Sequence, residues 1–250
     1  MNSEQQIYFL DTETTGLDAK YDRVIELGMV YTTIDSNGNL DSDYLERNQL
    51  IDPTVGIPAS ATRINKITDD MVKGKLTFKN LLPKLEENIP KGSILVMHNA
   101  GFDMGFLYAE SLRLNRTRWI ESMEVVDTYS ASKALRKKSR HSLDALCLSL
   151  GIELPKKGRH RAITDCRMLR DAYVEWTNQI GLMFLPDELR PTPAKDWINY
   201  RNFDGLDLGY GAVENGRNPV EGFDAPEINV ILREGVFHED LMAEKFGPSI

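Results

Sequence analysis

The chain has 250 residues, of which 41% are hydrophobic, and its formal net charge is −8 at pH 7. This length is enough for one sizeable core with an appendage, and no internal repeat or low-complexity tract is visible. No stretch is long and apolar enough to span a membrane, the start lacks the pattern of a signal peptide, and two cysteines do not indicate a disulfide scaffold, so we expect a cytoplasmic protein.

Charge is distributed unevenly along the chain. Residues 133–161 contain nine Lys or Arg against two acids, whereas residues 201–250 contain ten acids against four bases. The basic region can steer a phosphate backbone, although a solvated surface has the same composition. The net negative charge therefore does not exclude a nucleic-acid enzyme.

Hydrophobic periodicity predicts both strands and helices along the first part of the chain. Strands are predicted over residues 7–13, 24–33, 40–51, 94–98 and 124–127, with the turn Asn37-Gly38 joining the second to the third. Helices are predicted over residues 78–89, where Pro83 should kink the helix or begin it, directly after His98, over 143–150, and along an apolar stripe from 163 to 176. This order of elements is typical of an α/β fold.

The composition changes after residue 184. Prolines, glycines and the excess of acids predict a segment with little regular structure, followed by a strand over 228–232 and a helix over 239–246. We therefore predict one domain over residues 1–184 and an acidic, loop-rich extension over 185–250 whose role the sequence does not indicate.

Asp11 and Glu13 lie at the end of the first predicted strand. Residues two apart on a strand point to the same face, so the two carboxylates should project together. Like charges in contact are tolerated mainly where a cation neutralises them, and oxygen-only ligands favour Mg²⁺ or Mn²⁺ over zinc. The alternative is an exposed strand end whose acids are solvated.

Two further acids and a histidine lie at the starts of predicted helices. Asp103 lies beside the apolar face of the helix after His98, and Asp165 lies beside the apolar stripe of the last helix. His160 precedes Asp165 by five residues, a spacing that predicts a loop residue and not a second ligand on one helical face. The alternatives are an acid at a helix start and a histidine that makes a local hydrogen bond.

Together these residues carry a resemblance to a known family. Asp11-x-Glu13, His98-Asn99-x-x-Phe102-Asp103 and His160-x-x-x-x-Asp165 resemble, in this order, the three motifs of the DEDDh 3′–5′ exonucleases. The likeness covers roughly residues 5 to 184 and is especially close to the proofreading epsilon subunits of bacterial DNA polymerase III. The resemblance implies a ribonuclease H-like mixed β-sheet flanked by helices, with the acids gathered at the edge of the sheet.

The resemblance also implies roles for the motif residues. Asp11, Glu13, Asp103 and Asp165 are expected to be the catalytic ligands of two divalent metal ions, Mg²⁺ or Mn²⁺. His160 is expected to accept a proton from the attacking water, because an imidazole titrates near neutrality. The expected product is a nucleoside 5′-monophosphate.

Residues near these ligands are candidates for binding the substrate. They are Thr14, Thr15, Gly16, Leu17, Asn65, Asn99, Phe102, Arg159 and Arg161. The threonines and Gly16 can offer hydroxyl and backbone donors to the terminal nucleotide, with Leu17 packing on its base. Asn65 stands where many members of this family have a histidine that contacts the substrate, and we expect Asn65 to replace it.

A short segment after the last predicted helix resembles a sliding-clamp-binding motif. It comprises Gln179, Leu182 and Phe184, and the alternative is that Leu182 and Phe184 close the domain core. We keep three hypotheses: an exonuclease on 3′ ends of single-stranded or frayed DNA in proofreading or repair, a ribonuclease T-like exoribonuclease, and an accessory protein that binds a clamp or DNA polymerase. Backbone and stacking contacts alone do not separate DNA from RNA.

Overall fold

A computed structural model describes residues 5–35, 39–180 and 187–203. Its centre is a six-stranded mixed sheet with the order β3-β2-β1-β4-β5-β6. The strands are β1 Gln5–Thr14, β2 Val24–Ile34, β3 Leu45–Leu50, β4 Ile94–Met97, β5 Glu124–Asp127 and β6 Thr192–Pro193. β1, β4 and β5 run parallel to one another, while β2, β3 and β6 pair antiparallel to their neighbours.

Eight α-helices connect and flank these strands in the described residues. They are α1 Ala59–Asn65, α2 Asp69–Val72, α3 Phe78–Asn88, α4 Ala100–Arg113, α5 Arg118–Glu121, α6 Thr128–Leu135, α7 Leu143–Ser149 and α8 Ala162–Ile180. None of the helices in this part of the chain is long and apolar enough to cross a membrane.

The core forms where α8 packs against the central strands β1 and β2. β2 is buried along its first nine residues, as expected for a central strand that is covered on both faces. The apolar stripe of α8 meets side chains from β1 and β2 in one cluster, which includes Ile7, Phe9, Val30, Cys166, Leu169, Tyr173 and Trp176. Burial of this stripe seats α8 across the sheet.

The pairing of β1 decides where polar residues gather. β1 runs parallel to β4, so the carboxyl ends of both strands meet at one edge of the sheet. On the other side, Asp11 lies opposite Gly28 of β2, and Glu13 lies opposite Glu26. The predicted acidic strand end therefore faces the loops that follow β4.

Most predicted elements are confirmed, with two differences. The third strand starts at Leu45 and not at residue 40, although Leu40 forms an isolated bridge to Ile34. Helix α3 begins at Phe78 and contains Pro83, so the alternative of a start at Pro83 is wrong. The helix tolerates this proline because its apolar side chains are buried, which offsets one lost backbone hydrogen bond. The turn predicted at Asn37-Gly38 lies outside the described residues.

The segment after α8 is more ordered than its composition suggests. Residues 187–203 form three 3₁₀ turns, and Thr192 pairs with Val125 to add β6 to the sheet. Leu189 and Ala194 are fully buried. These contacts pack residues 187–203 against the sheet, so we propose that the exonuclease domain extends beyond the boundary predicted at 184. The strand and helix predicted after residue 227 lie outside the described residues.

Candidate active site

Three carboxylates from two elements converge at the carboxyl end of β1. Asp11 and Glu13 project from the strand, and Asp165 projects from the first turn of α8. One oxygen from each of the three lies within 4.8 Å of the others. The expectation that the first two acids share a face is confirmed, and α8 adds the third.

Asp103 joins this group from α4 through a buried hydrogen bond. Its Oδ1 accepts from the backbone N–H of Thr12 at 3.0 Å and from the Thr12 hydroxyl at 2.7 Å. Because Thr12 lies between Asp11 and Glu13, these two bonds tie α4 to the strand that carries the other acids. Asp103 is only 3% exposed, which makes it the most buried carboxylate of the four.

The carboxylates titrate abnormally because they are buried together. Burial and the charges of Asp103, Asp165 and Glu13 raise the pKa of Asp11 well above its usual range. Burial raises the pKa of Glu13 to about 8 and that of Asp103 to about 7. Burial also raises the pKa of Asp165, and the cationic side chain of Arg159 beside it opposes the rise. The ionised form of the cluster is therefore disfavoured unless a cation compensates its negative charge.

The donor set fits a hard divalent cation. Carboxylate oxygens are the ligands that Mg²⁺ and Mn²⁺ prefer, and Asp11, Glu13 and Asp165 already offer three of them within reach of one ion. A cation would also restore the ionised form of these acids, whose pKa values burial has raised.

His160 lies beside this cluster on an exposed turn. It precedes α8 by two residues, as expected for a loop residue, and its φ of 58° is in the left-handed region. Its backbone N–H hydrogen-bonds to the carboxylate of Asp165 and helps to lower the pKa of that acid. The imidazole is thus near the cluster while its main chain holds one of the acids.

Asn65 is buried, unlike a residue on an exposed substrate-binding surface. It is 2% exposed at the end of α1, and its Oδ1 accepts from the backbone N–H of Ile67 at 3.0 Å. Its amide Nδ2 donates to the carbonyl of Thr14 at 3.4 Å, and its side chain lowers the pKa of Glu13 by hydrogen bonding, against the larger effect of burial. The structure therefore places Asn65 in the interior, beside the end of β1.

The loop after Glu13 is folded back on itself. The Thr14 hydroxyl donates to the carbonyl of Gly16 at 2.6 Å, and the Thr15 hydroxyl donates to Asp22 at 3.0 Å. A Cβ on Gly16 would lie 2.3 Å from the Asp22 carboxylate, so the loop requires glycine there. Leu17 remains 86% exposed at the tip of the loop.

Leu17 and Phe102 line a cavity of about 490 Å³ against α4, the helix that also carries Asp103. One wall is α4, where Gly101 and Gly105 leave open space because a Cβ at either position would meet nothing within 4 Å. The remaining lining residues are Asp18, Ala19, Lys20, Phe106, Asn199, Asn202 and Phe203. The last three belong to the segment after α8, and no motif in the sequence indicated that this segment reaches the site.

Asn99 begins α4 at the same edge of the sheet. Its side chain is exposed, its φ is 79°, and its backbone N–H donates to Asp127 at 2.8 Å. Asp127 also accepts from the backbone N–H groups of Tyr129 and Ser130, so one carboxylate caps the N-termini of both α4 and α6. Sequence reasoning missed this residue because it reads as the last residue of a strand.

Both predicted substrate arginines have acidic partners. Arg159 pairs with Asp144 at the start of α7. Arg161 donates from Nε to both carboxylate oxygens of Glu26, at 3.1 and 3.0 Å. Neither guanidinium is unpaired in the described structure.

The fold and the acidic site define the class of this protein. The chain belongs to the RNase T family of exonucleases, whose sequence pattern matches residues 8–173. It is similar to DNA polymerase III subunit epsilon of Pasteurella multocida, with 33% identity over 201 residues that cover 78% of this chain and 76% of the relative. The same subunit of Treponema pallidum is 39% identical over 164 residues, which cover 65% of this chain and 72% of the relative.

Solved structures show the same fold. A structure described as exonuclease X in complex with 5′ overhanging duplex DNA has a TM-score of 0.54 at 23% identity, and the match covers 74% of this chain and 99% of that chain. Escherichia coli exonuclease I in complex with a dT13 oligonucleotide has a TM-score of 0.55 at 19% identity, with 70% of this chain and 41% of that chain covered. The ribonuclease H-like fold expected from the sequence is confirmed.

Proposed function

We propose that this exonuclease removes nucleoside 5′-monophosphates from the 3′ ends of single-stranded or frayed DNA, in proofreading or repair. The observation that carries the proposal is the convergence of Asp11, Glu13 and Asp165, with Asp103 tied to the same strand and His160 beside them. The preference for DNA is supported by the epsilon subunits among the similar proteins.

The acids would hold two Mg²⁺ or Mn²⁺ ions, which supply an activated water and charge compensation at a phosphodiester. Asp11, Glu13 and Asp165 are the residues that would bind them, with Asp103 completing the set from α4. The imidazole of His160 accepts the proton of the attacking water, a contribution of roughly 10²- to 10⁴-fold for general-base catalysis.

The cavity beside Leu17 and Phe102 is the proposed site of the terminal nucleotide. Its volume of about 490 Å³ is within the range for small-ligand pockets, and the exposed apolar side chain of Leu17 suits contact with a nucleobase. The exposed amides of Asn199 and Asn202 can reach polar groups of the nucleotide from the opposite wall.

A DNA polymerase is the proposed partner because the similar curated proteins are named as polymerase subunits. We also keep the sliding clamp as a proposed partner through the segment of Gln179, Leu182 and Phe184. Gln179 is exposed on the last turn of α8 and donates to Glu175 at 2.8 Å. Leu182 and Phe184 lie outside the described residues.

The proposal is tested with matched DNA and RNA oligonucleotides labelled at the 5′ end. We expect stepwise shortening from the 3′ end of DNA with Mg²⁺ or Mn²⁺, loss of activity in excess EDTA, and nearly complete loss in Asp11→Ala, Glu13→Ala, Asp103→Ala and Asp165→Ala. Full turnover in EDTA or in the Asp11 variant would contradict the metal-dependent mechanism. Faster degradation of the RNA strand would assign the enzyme to RNA ends instead.

A further inference from the structure

A fifth carboxylate, Glu26 on β2, is buried next to the four acids of the site. Its side chain has no exposed surface, and it lies directly opposite Glu13 in the β1–β2 pair. An unpaired carboxylate would be strongly unfavourable in this position because the neighbouring acids repel it and water is excluded. The groups that neutralise Glu26 are therefore essential to the arrangement of the site.

Glu26 is neutralised by the residues that begin α8. Arg161 donates from Nε to Oε1 and Oε2 at 3.1 and 3.0 Å, and its Nη2 also donates to Oε1. The backbone N–H of Ala162 donates to Oε2 at 3.0 Å, and Asn48 of β3 donates to Oε1 at 2.9 Å. A planar guanidinium that grips a carboxylate in this way fixes orientation as well as distance.

Gly28 lets α8 approach β2 closely at the same place. A Cβ at this position would lie 2.5 Å from the carbonyl carbon of Ala162 and 2.6 Å from the nitrogen of Ile163. Glu26 and Gly28 are two residues apart on one strand and therefore face the same side of the sheet. Together they seat the start of α8 against the strand, one by hydrogen bonds and the other by the absence of a side chain.

The seated segment carries two functional residues. Arg161 directly follows His160 and precedes Asp165 by four residues, so all three belong to the turn that begins α8. The left-handed φ of 58° at His160 is unfavourable for a residue other than glycine, and it persists only where the surroundings hold it. On the C-terminal side of His160, the hydrogen bonds that Glu26 accepts from Arg161 and Ala162 supply this restraint.

We propose that Glu26 and Arg161 form a positioning pair that holds His160 and Asp165 in the geometry needed for catalysis. Arg161 then acts through its neighbours. It does not bind the substrate phosphates, although its position next to His160 in the sequence suggests that role. This inference rests on the proposed exonuclease function, since it assigns a source of precision to that same site.

The test compares Glu26→Gln, Arg161→Gln and Arg161→Lys with the unaltered protein on a single-stranded DNA oligonucleotide. Assays are run at saturating Mn²⁺ and well below the melting temperature of each variant, so that every sample is folded. We expect kcat to fall roughly 10- to 100-fold in the first two variants, as for residues that orient metal ligands, with KM little changed. Arg161→Lys should also lose activity because an ammonium cannot replace the two-pronged contact.

Combining Glu26→Gln with Arg161→Gln separates a joint role from two independent roles. Residues that act as one unit give strongly non-additive losses, so we expect the double variant to be no slower than the slower single variant. Losses that multiply would contradict the pair.

A matched control exists on the same helix. Arg167 donates from Nε to Glu46 of β3 at 2.8 Å and so also ties α8 to the sheet, but this pair is more exposed and does not touch the acidic cluster. Arg167→Gln and Glu46→Gln should leave kcat nearly unchanged. If they slow the enzyme as much as Arg161→Gln does, general docking of α8 explains the effect and the specific proposal is overturned.

Two other outcomes would overturn it as well. If Arg161 binds phosphate, Arg161→Gln raises KM and weakens the salt dependence of binding, Arg161→Lys retains most activity, and Glu26→Gln leaves kcat unchanged. If the pair only stabilises the fold, the melting temperature falls while kcat of the folded enzyme stays the same.

Failure of the proposed function remains distinguishable from failure of this inference. An unaltered protein that releases no nucleotide would refute the exonuclease proposal. Calorimetric titration with Mn²⁺ would still test the pair, since loss of the Arg161 contact should loosen Asp165 and weaken binding of the ion by roughly 10- to 100-fold. Equal affinities in Arg161→Gln and the unaltered protein would overturn the positioning role.

Discussion

His160 combines an exposed imidazole with a constrained main chain, and the two parts do different things. The backbone N–H holds Asp165, so a change of side chain alone leaves this bond in place. We expect His160→Ala to lower the rate by roughly 10²- to 10⁴-fold while metal and DNA binding persist, because the change removes a base and not a ligand.

The measurement is kcat at saturating Mn²⁺, together with a metal titration. His141→Ala is a suitable control, because His141 contacts Ser132 through its side chain and His98 through its backbone carbonyl, which the variant retains. A His160 variant that loses metal affinity and recovers its rate at high metal concentration would show that the residue is a ligand.

The buried acids predict how pH affects the metal-free protein. The pKa of Glu13 is raised from 4.5 to about 8 and that of Asp103 from 3.8 to about 7, so the folded state binds these protons more tightly than the unfolded chain. Stability from these groups is complete below the unfolded values and is lost as pH rises through the folded ones. We therefore expect the melting temperature in EDTA to fall as the pH rises from about 4 to about 8, between the unfolded and the folded pKa values of these acids.

Thermal melts across this pH range provide the measurement. Saturating Mg²⁺ should reduce the decline, since it binds the ionised carboxylates, and Glu13→Gln should make it shallower. A melting temperature in EDTA that rises with pH, or that responds to pH identically in the variant, would contradict this account.

At the scale of single residues, the sequence predicts the ligands better than the residues that support them. Asp11 and Glu13 are close in sequence, and strand periodicity is enough to bring them together. Arg161 and Glu26 are separated by 135 positions, and no local pattern indicates that they meet. Asn65 was expected to contact substrate, but its burial beside the end of β1 depends on how α1 packs, which only the assembled fold decides.

Helix α8 is the element that brings distant parts of the site together, and Gly28 controls how closely it approaches the sheet. Gly28→Ala would place a Cβ 2.5 Å from the backbone of Ala162, so the helix must shift. We expect a loss of stability of about 1–3 kcal/mol, the usual effect of overpacking, and a lower kcat because Asp165 moves with the helix.

Denaturant unfolding and steady-state rates measure these two effects. Gly56→Ala is the control, since a Cβ at Gly56 would meet nothing within 4 Å and its backbone does not require glycine. If Gly28→Ala is as stable and active as the control variant, α8 has room to adjust and the close approach is unimportant.

At the scale of elements, predictability followed length and periodicity. The long strands β1 and β2 and the helix α8 were predicted because each buries a regular apolar pattern. The helices α1, α2, α5 and α6 have only four to eight residues and were not predicted, whereas the equally short α7 was predicted because Leu143, Leu146 and Cys147 recur at helical spacing. The alternative that the helix starts at Pro83 is wrong, because burial of one face of α3 outweighs a single lost hydrogen bond.

For the molecule as a whole, the exonuclease fold includes chain that follows α8. β6 extends the sheet beyond β5, Leu189 enters the main core, and the rings of Tyr200 and Phe203 contact Tyr108 of α4. The same segment supplies one wall of the cavity that Leu17 and Phe102 line. Stability and the proposed nucleotide site therefore involve the same stretch of chain.

This dependence predicts the effect of ending the chain at different points. A chain ending at residue 184 loses β6 and Leu189, whereas one ending at residue 206 keeps the whole compact unit. We expect the shorter chain to melt at a clearly lower temperature and to bind DNA ends more weakly, because its core and its cavity wall are both incomplete. Leu189→Ala in the full chain should cost about 2–5 kcal/mol, as for other buried leucines. Glu188→Ala, an exposed change in the same turn, should cost little. Equal melting temperatures and equal DNA affinities for the two shortened chains would show that the domain ends at residue 184 after all.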